Sequence, residues 1–325
     1  MRYCGIGGQA VMEGVMMKNR DTYAVAVRKP DGEIEVKKEN SPGGKMRTAV
    51  SKIPIVRGIV SFVDSLSLGM KTLTYSASFF EEEEKKNDQK KDDSLLMGIV
   101  FVVAIIAAIG LFVLVPFFLG ESLKHTIRSA QIRGLIEGVI RVILFVIYVK
   151  AISLMDDIRR VFMYHGAEHK SINCIENGME LTVENVRKQS MAHKRCGTSF
   201  LLIVMFLSIL LFMFISVRNI GLRMLFRILL IPLIAGLAYE WIRFAGRHDN
   251  ALVNGLSKPG LWLQSLTTIE PDDSMIEVAI ASVNAVFDWK TFLGEEEGIE
   301  ILSLDEVDEN DEILDALDRY FEPPK

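Results

Sequence analysis

Residues 95–119 constrain this chain more than any other stretch. From Leu95 through Ile99, Phe101, Ile105, Leu111 and Val115 to Leu119 there is no charged side chain. At about 1.5 Å per residue such a helix crosses a hydrocarbon core of roughly 30 Å. A backbone placed in lipid must satisfy its own N–H and C=O groups, so a spanning helix is the expected form. Three further blocks, Leu135–Leu154, Phe200–Val217 and Leu222–Trp241, are apolar but less pure. The first of these carries Glu137, Arg141 and Lys150, and the last two are separated by Arg218, Asn219, Ile220 and Gly221. The chain is half apolar and its mean hydropathy is positive, +0.26, which is unusual for a soluble protein. The expected fold class is therefore membrane α-helical, with about four spans. The alternative reading makes the weaker blocks buried helices of a large soluble core.

The polar remainder is expected to form a membrane-abutting cytoplasmic α+β portion. Thr22–Val27 and Glu33–Lys38 alternate like strands around Lys29-Pro30-Asp31-Gly32, a turn signal that predicts a β-hairpin. Ile55–Phe79 has helical periodicity but is too polar to span, and should lie along the interface or against the spans. Pro271-Asp272-Asp273 reads as the start of a further amphipathic helix reaching about Phe287. The layout is an N-terminal mixed α/β portion with an interfacial helix (1–80), a charged linker (81–94), a first transmembrane hairpin (95–154) and a central loop (155–198). A second transmembrane hairpin (199–242), a C-terminal segment (243–294) and an acidic tail (295–325) follow.

Charge sets the expected orientation. Residues 295–325 hold 13 acidic and two basic side chains, which leaves 35 basic against 29 acidic in the rest and suits that body to anionic headgroups. In the tail, Ile313, Leu317 and Phe321 are spaced for one short docking helix, or belong to a frayed terminus. The 155–197 loop contains Arg159, Arg160, Lys170, Arg187, Lys188, Lys194 and Arg195, which predicts a cytoplasmic location for it and, with an even number of spans, for both terminal portions. Arg218, Arg223 and Arg227 run against that bias, so the 199–242 hairpin is either re-entrant or differently placed. The first residues are too polar for a secretory signal, so none is expected to be removed. Cys4, Cys174 and Cys196 are odd in number and widely spaced, which points to a reducing compartment rather than a disulfide framework.

The segment Tyr164-His165-Gly166-Ala167-Glu168-His169-Lys170 carries the chemistry. On a helix His165 and His169 project from one face, with Glu168 about 60° away. Two imidazoles at this spacing suit two corners of a tetrahedral metal site, zinc before other divalent ions, and the carboxylate beside them suits a general base. The order H-x-x-E-H is that of the inverzincin peptidases. A further ligand is expected from His193 or Cys196, and Cys174 is less suited. All four of His165, His169, His193 and Cys196 would close a structural site, whereas three with water would leave a catalytic one. The bland alternative is a pair of interfacial histidines, with Glu168 paired to Lys170 or an arginine. His248 and Asp249 could contribute a ligand or a supporting hydrogen bond. Glu13, set among Gly7, Gly8 and Gly14, reads as a half-buried carboxylate that needs a cation, or as part of a plain turn and strand. Glu137 and Arg141 fit an intrahelical pair. Phosphate-cradling loops and aromatic-basic nucleic-acid patches are absent, so nucleic acid is not an expected partner.

Gly7–Met17, Pro54–Gly58, His165–Lys170, His193–Ser199 and Arg247–Asn250, followed by Lys258-Pro259-Gly260-Leu261 and Leu266-Thr267-Thr268, together resemble the YqhQ-like family of bacterial membrane proteins. The resemblance covers about residues 5 to 290, leaving the acidic tail outside. It implies a multi-pass protein of the bacterial inner membrane and carries the family's description as a predicted metal-dependent enzyme. The expected function is a metal-dependent hydrolase acting at the cytoplasmic membrane face on a membrane-associated peptide, protein or lipid. The rival is a non-catalytic scaffold or assembly factor with a structural metal or a lipid-binding surface. A transporter is weaker, because one chain of about four spans offers few polar pore residues, although a homo-oligomer would change that.

Overall fold

A computed structural model of the chain describes residues 3–40, 53–80, 90–193, 196–215, 217, 219–245 and 251–294. His248, Asp249 and the expected docking helix of the tail lie outside these residues. The chain divides into two units, Met1–Phe287 and Asp288–Lys325. The described part of the second holds one short helix, Trp289–Leu293, capped by Asp288.

The first unit opens with a four-stranded antiparallel meander in the order β1 (Gly7–Val11), β2 (Gly14–Asn19), β3 (Thr22–Arg28) and β4 (Ile34–Asn40). The expected hairpin is β3–β4. Its turn is closed by Gly32 N–H to Lys29 O at 2.9 Å, with Gly32 at φ 89°. A second hairpin precedes it, in which Met12 and Glu13 join β1 to β2 and Glu13 takes a left-handed conformation at φ 48°. Strand alternation divides the sheet's side chains between two layers. Val11, Met16, Tyr23, Val25 and Val27 form one face and pack with Leu68 of α1 (Val56–Ala77). The other face, with Ala24, lies under α10 (Asp273–Val286), whose Ser282 hydroxyl donates to Ala24 O at 3.1 Å. Both faces of the sheet are therefore covered by helices, which explains why Ala24 through Val27 are all buried.

The apolar helices fall on the four expected blocks but differ from expectation in length. The first runs from α2 (Lys90–Ile109) through a π-turn at Gly110–Leu114 into α3 (Val115–Ser122), so its helix begins inside the expected charged linker. Its apolar part is Gly98–His125. Next come α4 (Ala130–Ile152), α5 (Asp156–Glu176), the short α6 (Val183–Arg187), α7 (Gly197–Met213), α8 (Ile220–Ala245) and α9 (Ala251–Gln264). Among the described residues, two helices are long and apolar enough to cross a membrane alone, Gly98–His125 and Ile220–Ala245. The count is three if α4 and α5 are joined, but these are bent by 102°. Glu137, Arg141 and Lys150 keep α4 from qualifying by itself, and α7 has 17 residues, about 26 Å of helix. The chain is thus mostly helical with an N-terminal antiparallel sheet and two or three spans by length and composition, where the sequence led to an expectation of four.

Small residues set the close approaches between these helices. A Cβ on Gly138 of α4 would stand closer than 3.0 Å to the Ile209 side chain of α7, and one on Gly58 of α1 would stand 2.8 Å from Gly236 O of α8. Beside the second contact, Arg57 grips Glu240 through Nε and Nη2 at 2.6 and 2.5 Å. These contacts fasten α1, and through it the sheet, to the end of α8.

Candidate metal centre

α5 is polar in composition yet buried along most of its length. Glu168, His169, Lys170, Ser171, Asn173 and Glu176 are all at most 6% exposed. Buried polar groups require partners, and here the partners define a site. The helix starts with Asp156 and Asp157 in its first turn, where carboxylates favour the positive end of the helix dipole. It stops at Asn177 and Gly178, whose φ of 75° suits glycine. The turn at Ser153–Met155 separates it from α4, so the histidines do not ride on a straight continuation of the preceding apolar helix.

His165 and His169 stand one turn apart with ring centroids 4.4 Å apart. Each Nδ1 meets a backbone carbonyl: Thr267 O at 2.9 Å for His165 and Met191 O at 2.7 Å for His169. A carbonyl can only accept, so a hydrogen sits on each Nδ1, and when the ring is neutral its Nε2 lone pair turns the other way. There the His165 Nε2 lies 3.1 Å from Cys196 Sγ, and the ligand atoms of His165, His169 and Cys196 all lie within 4.8 Å of one another. Glu168 Oε2 lies 3.9 Å from His165 Nε2 and 3.7 Å from His169 Nε2. Donors around one tetrahedral zinc are roughly 3.3–3.7 Å apart, given bonds of about 2.0–2.3 Å. The cluster is looser than that, reaching 4.8 Å, but its soft and borderline donors and carbonyl-anchored imidazoles are of the kind that could draw together around a divalent cation.

Two close approaches make this geometry possible. Gly166 leaves room for the backbone of Ile269, whose N–H reaches Phe162 O at 3.0 Å, so the Thr267–Pro271 strap crosses α5 and delivers its carbonyl to His165. Gly8 in β1 leaves room for Glu168, because a Cβ there would lie 2.8 Å from Glu168 Cγ. On the other side, Asn173 donates to Ser190 O at 2.7 Å and Ala192 O at 3.0 Å, and so holds the Met191 carbonyl against His169.

Cys196 is the N-cap of α7, and its Sγ accepts from Thr198 N at 3.4 Å. Burial opposes ionisation of this thiol, but hydrogen bonding and charge from His165 and His169 win and hold it well below the ordinary thiol range. Reciprocally, burial disfavours the His165 imidazolium, yet the Cys196 and Glu168 partners push it up to about 9, and His169 moves in the same direction. Without a cation the cluster therefore favours a thiolate beside imidazolium.

The other residues expected at the site lie around it. His193 is buried and faces Glu176, Nε2 to Oε2 3.7 Å, while Gln264 binds both its backbone N–H and its carbonyl. Its ring is 5.5 Å from that of His169, but it is not among the three clustered donors. Glu176 also accepts from Cys4 N at 3.1 Å and Cys4 Sγ at 3.2 Å. Cys174 points to the carbonyls of Met179 and Glu180, away from the cluster. Glu13 has its cation in Arg160, which grips both carboxylate oxygens, and accepts from Tyr164 Oη at 3.2 Å. Lys170 pairs with Glu270. The roles of Thr267, Met191, Asn173 and Gly166 were not read from sequence. The Leu266-Thr267-Thr268 run was visible, but nothing in it marks a carbonyl acceptor.

The family model described as "Protein of unknown function (DUF1385)" matches residues 53–289, which include every clustered donor. The "Uncharacterized protein YqhQ" of Bacillus subtilis (strain 168) is 37% identical over 290 residues, covering 86% of this chain and 91% of that relative. No solved structure matches.

Proposed function

We propose that this chain, which belongs to the DUF1385 family, is a metal-dependent membrane enzyme, a hydrolase whose site holds a divalent cation, zinc before others. The observation that carries this reading is the paired anchoring of His165 and His169: both Nδ1 atoms face backbone carbonyls, so both Nε2 atoms face Cys196 Sγ and Glu168 Oε2. His165, His169 and Cys196 would hold the ion, which supplies Lewis acidity toward water and a substrate carbonyl or phosphoryl oxygen. Glu168, its side chain 7% exposed and near both Nε2 atoms, would take a proton from water. His193 supports His169 from the side, together with Glu176.

Four spans, with α4 and α7 added to the two long helices, are the topology we favour. The glycine-mediated packing of α4 on α7 supports it, and the basic 155–197 loop supports a cytoplasmic site at a bacterial inner membrane. Substrates are then membrane-associated peptides, proteins or lipids. One observation favours a second reading: Glu168 is close enough to both imidazoles to be a fourth ligand, which would close the site into a structural one in a scaffold.

Elemental analysis of the purified protein tests both. Stoichiometric metal in the wild type and its loss in a His165→Ala, His169→Ala double variant is the expected result; equal, negligible metal in both would overturn a metal centre. Glu168→Gln separates the readings. Metal retained at near wild-type affinity fits a base, whereas a large loss of affinity fits a ligand.

A further inference from the structure

A second cluster of buried charge lies far from the metal centre, about 24 Å along α7 from Cys196 to Phe212. Glu137 of α4 is shared by two guanidinium groups, Arg141 at 3.1 Å and Arg227 of α8, and all three side chains are 5% exposed. Arg141 also donates to Phe112 O at 2.7 Å and to Ser208 Oγ at 2.5 Å. Beside them Arg223 pairs with Glu121 at 2.8 Å, and Arg133 is held by the carbonyls of Ile127 and Arg128. Four guanidinium groups thus face two carboxylates. Arg227 lies against the rings of Phe117 and Phe212, and its buried Nε has no hydrogen-bond partner. Its side chain lines a small pocket together with Arg133, Arg223, Glu121 and Glu137, with room for about one water (about 20 Å³).

A surplus of cations among apolar helices is costly unless an anion joins them. Guanidinium groups arranged around one space match the oxygens of a phosphate group, which accepts paired N–H bonds. We propose that a phosphate group binds here between Arg223, Arg133 and the Arg227 guanidinium; because the space holds about one water, Arg133 and Arg223 turn from their carbonyl and carboxylate partners to admit it. The phosphate belongs to an anionic lipid headgroup or is free in solution. The inference is independent of the metal-centre reading.

Thermal unfolding of the full-length protein in a neutral detergent tests it. The additions are phosphatidylglycerol, diacylglycerol as a lipid without phosphate, inorganic phosphate and chloride, with the salts at equal ionic strength. Phosphatidylglycerol is expected to raise the midpoint by about 3 °C more than diacylglycerol. Arg223→Gln and Arg227→Gln should each weaken that response at least tenfold in lipid concentration, whereas Arg187→Gln, at an exposed pair with Asp273, should leave it intact. If Arg227→Gln does not fold, Arg223→Gln decides. Stabilisation by inorganic phosphate with the same arginine dependence identifies phosphate itself as the feature recognised; a response to phosphatidylglycerol alone identifies the lipid as its source. The proposal is overturned if neither phosphate source exceeds its control, or if the response survives the arginine substitutions.

Discussion

Gly166 lies directly beneath the carbonyl of Ile269, so that a Cβ on Gly166 would come closer than 3.0 Å to that oxygen. The glycine sits between the two histidine turns of α5, and the strap it admits carries Thr267, the anchor of His165. Gly166→Ala is therefore expected to push the strap outward. A cost of about 1–3 kcal/mol is typical of such overpacking, and metal content should fall with it. Unfolding midpoints and elemental analysis of the variant check this; unchanged values in both would mean that the strap does not orient His165.

Asn173 acts on the other imidazole through the 190–192 backbone. Asn173→Ala removes the two hydrogen bonds to the Ser190 and Ala192 carbonyls and frees Met191 O to move from His169. Supporting groups of this kind typically change metal affinity by about 10–100-fold. The expected outcome is a loss in that range without loss of helix content, read by competitive chelation and circular dichroism.

Protons and a cation compete for the same lone pairs at this centre. Cys196 is held well below the ordinary thiol range by His165 and His169, and His165 is pushed up to about 9 by its Cys196 and Glu168 partners, so in the metal-free protein at pH 7 the His165 imidazole carries a proton. Metal binding must expel that proton, so affinity should rise with pH toward about 9 and level off above it. Falling pH weakens binding by about tenfold per unit for each proton displaced. Calorimetric titration with zinc in buffers of different ionisation enthalpy should show at least one proton released per ion at pH 7. Release of none would contradict this charge state.

Glu13 separates a structural anchor from a ligand. It ties the β1–β2 turn to α5 through Arg160 and Tyr164, one turn below the histidines. Glu13→Gln should lower stability by about 1 kcal/mol, as expected for a partly exposed ion pair, while metal stoichiometry stays at the wild-type value. A Glu13→Gln protein that folds normally but loses its metal would make Glu13 part of the coordination.

Local signals were legible because they act within a few residues. The Pro30-Asp31-Gly32 order specifies a turn whatever surrounds it, and β3–β4 formed there. Asp272 caps α10 as its position predicted, with its side chain accepting from Met275 N. The i, i+4 spacing of His165 and His169 put the rings on one side of a helix, and that needed no tertiary information. The choice between His193 and Cys196 was different. They are three residues apart in sequence, and either was compatible with a site at α5. Gln264 binds the His193 backbone and Glu176 lies 3.7 Å from its Nε2, whereas capping of α7 aims Cys196 Sγ at His165.

The sequence by itself determined the apolar helices long enough to cross a membrane, the hairpin turn and the histidine–carboxylate face of α5. Each follows from hydropathy or periodicity over neighbouring residues. Tertiary structure alone decided which sulfur or nitrogen joins that face, which carbonyls orient its rings and where the chain bends between α4 and α5. Thr267 and His165 are 102 residues apart, and a backbone oxygen has no residue identity to mark it. Such a contact exists once Gly166 and Gly8 have let a strap and a strand close on the helix, and that depends on packing rather than on local order.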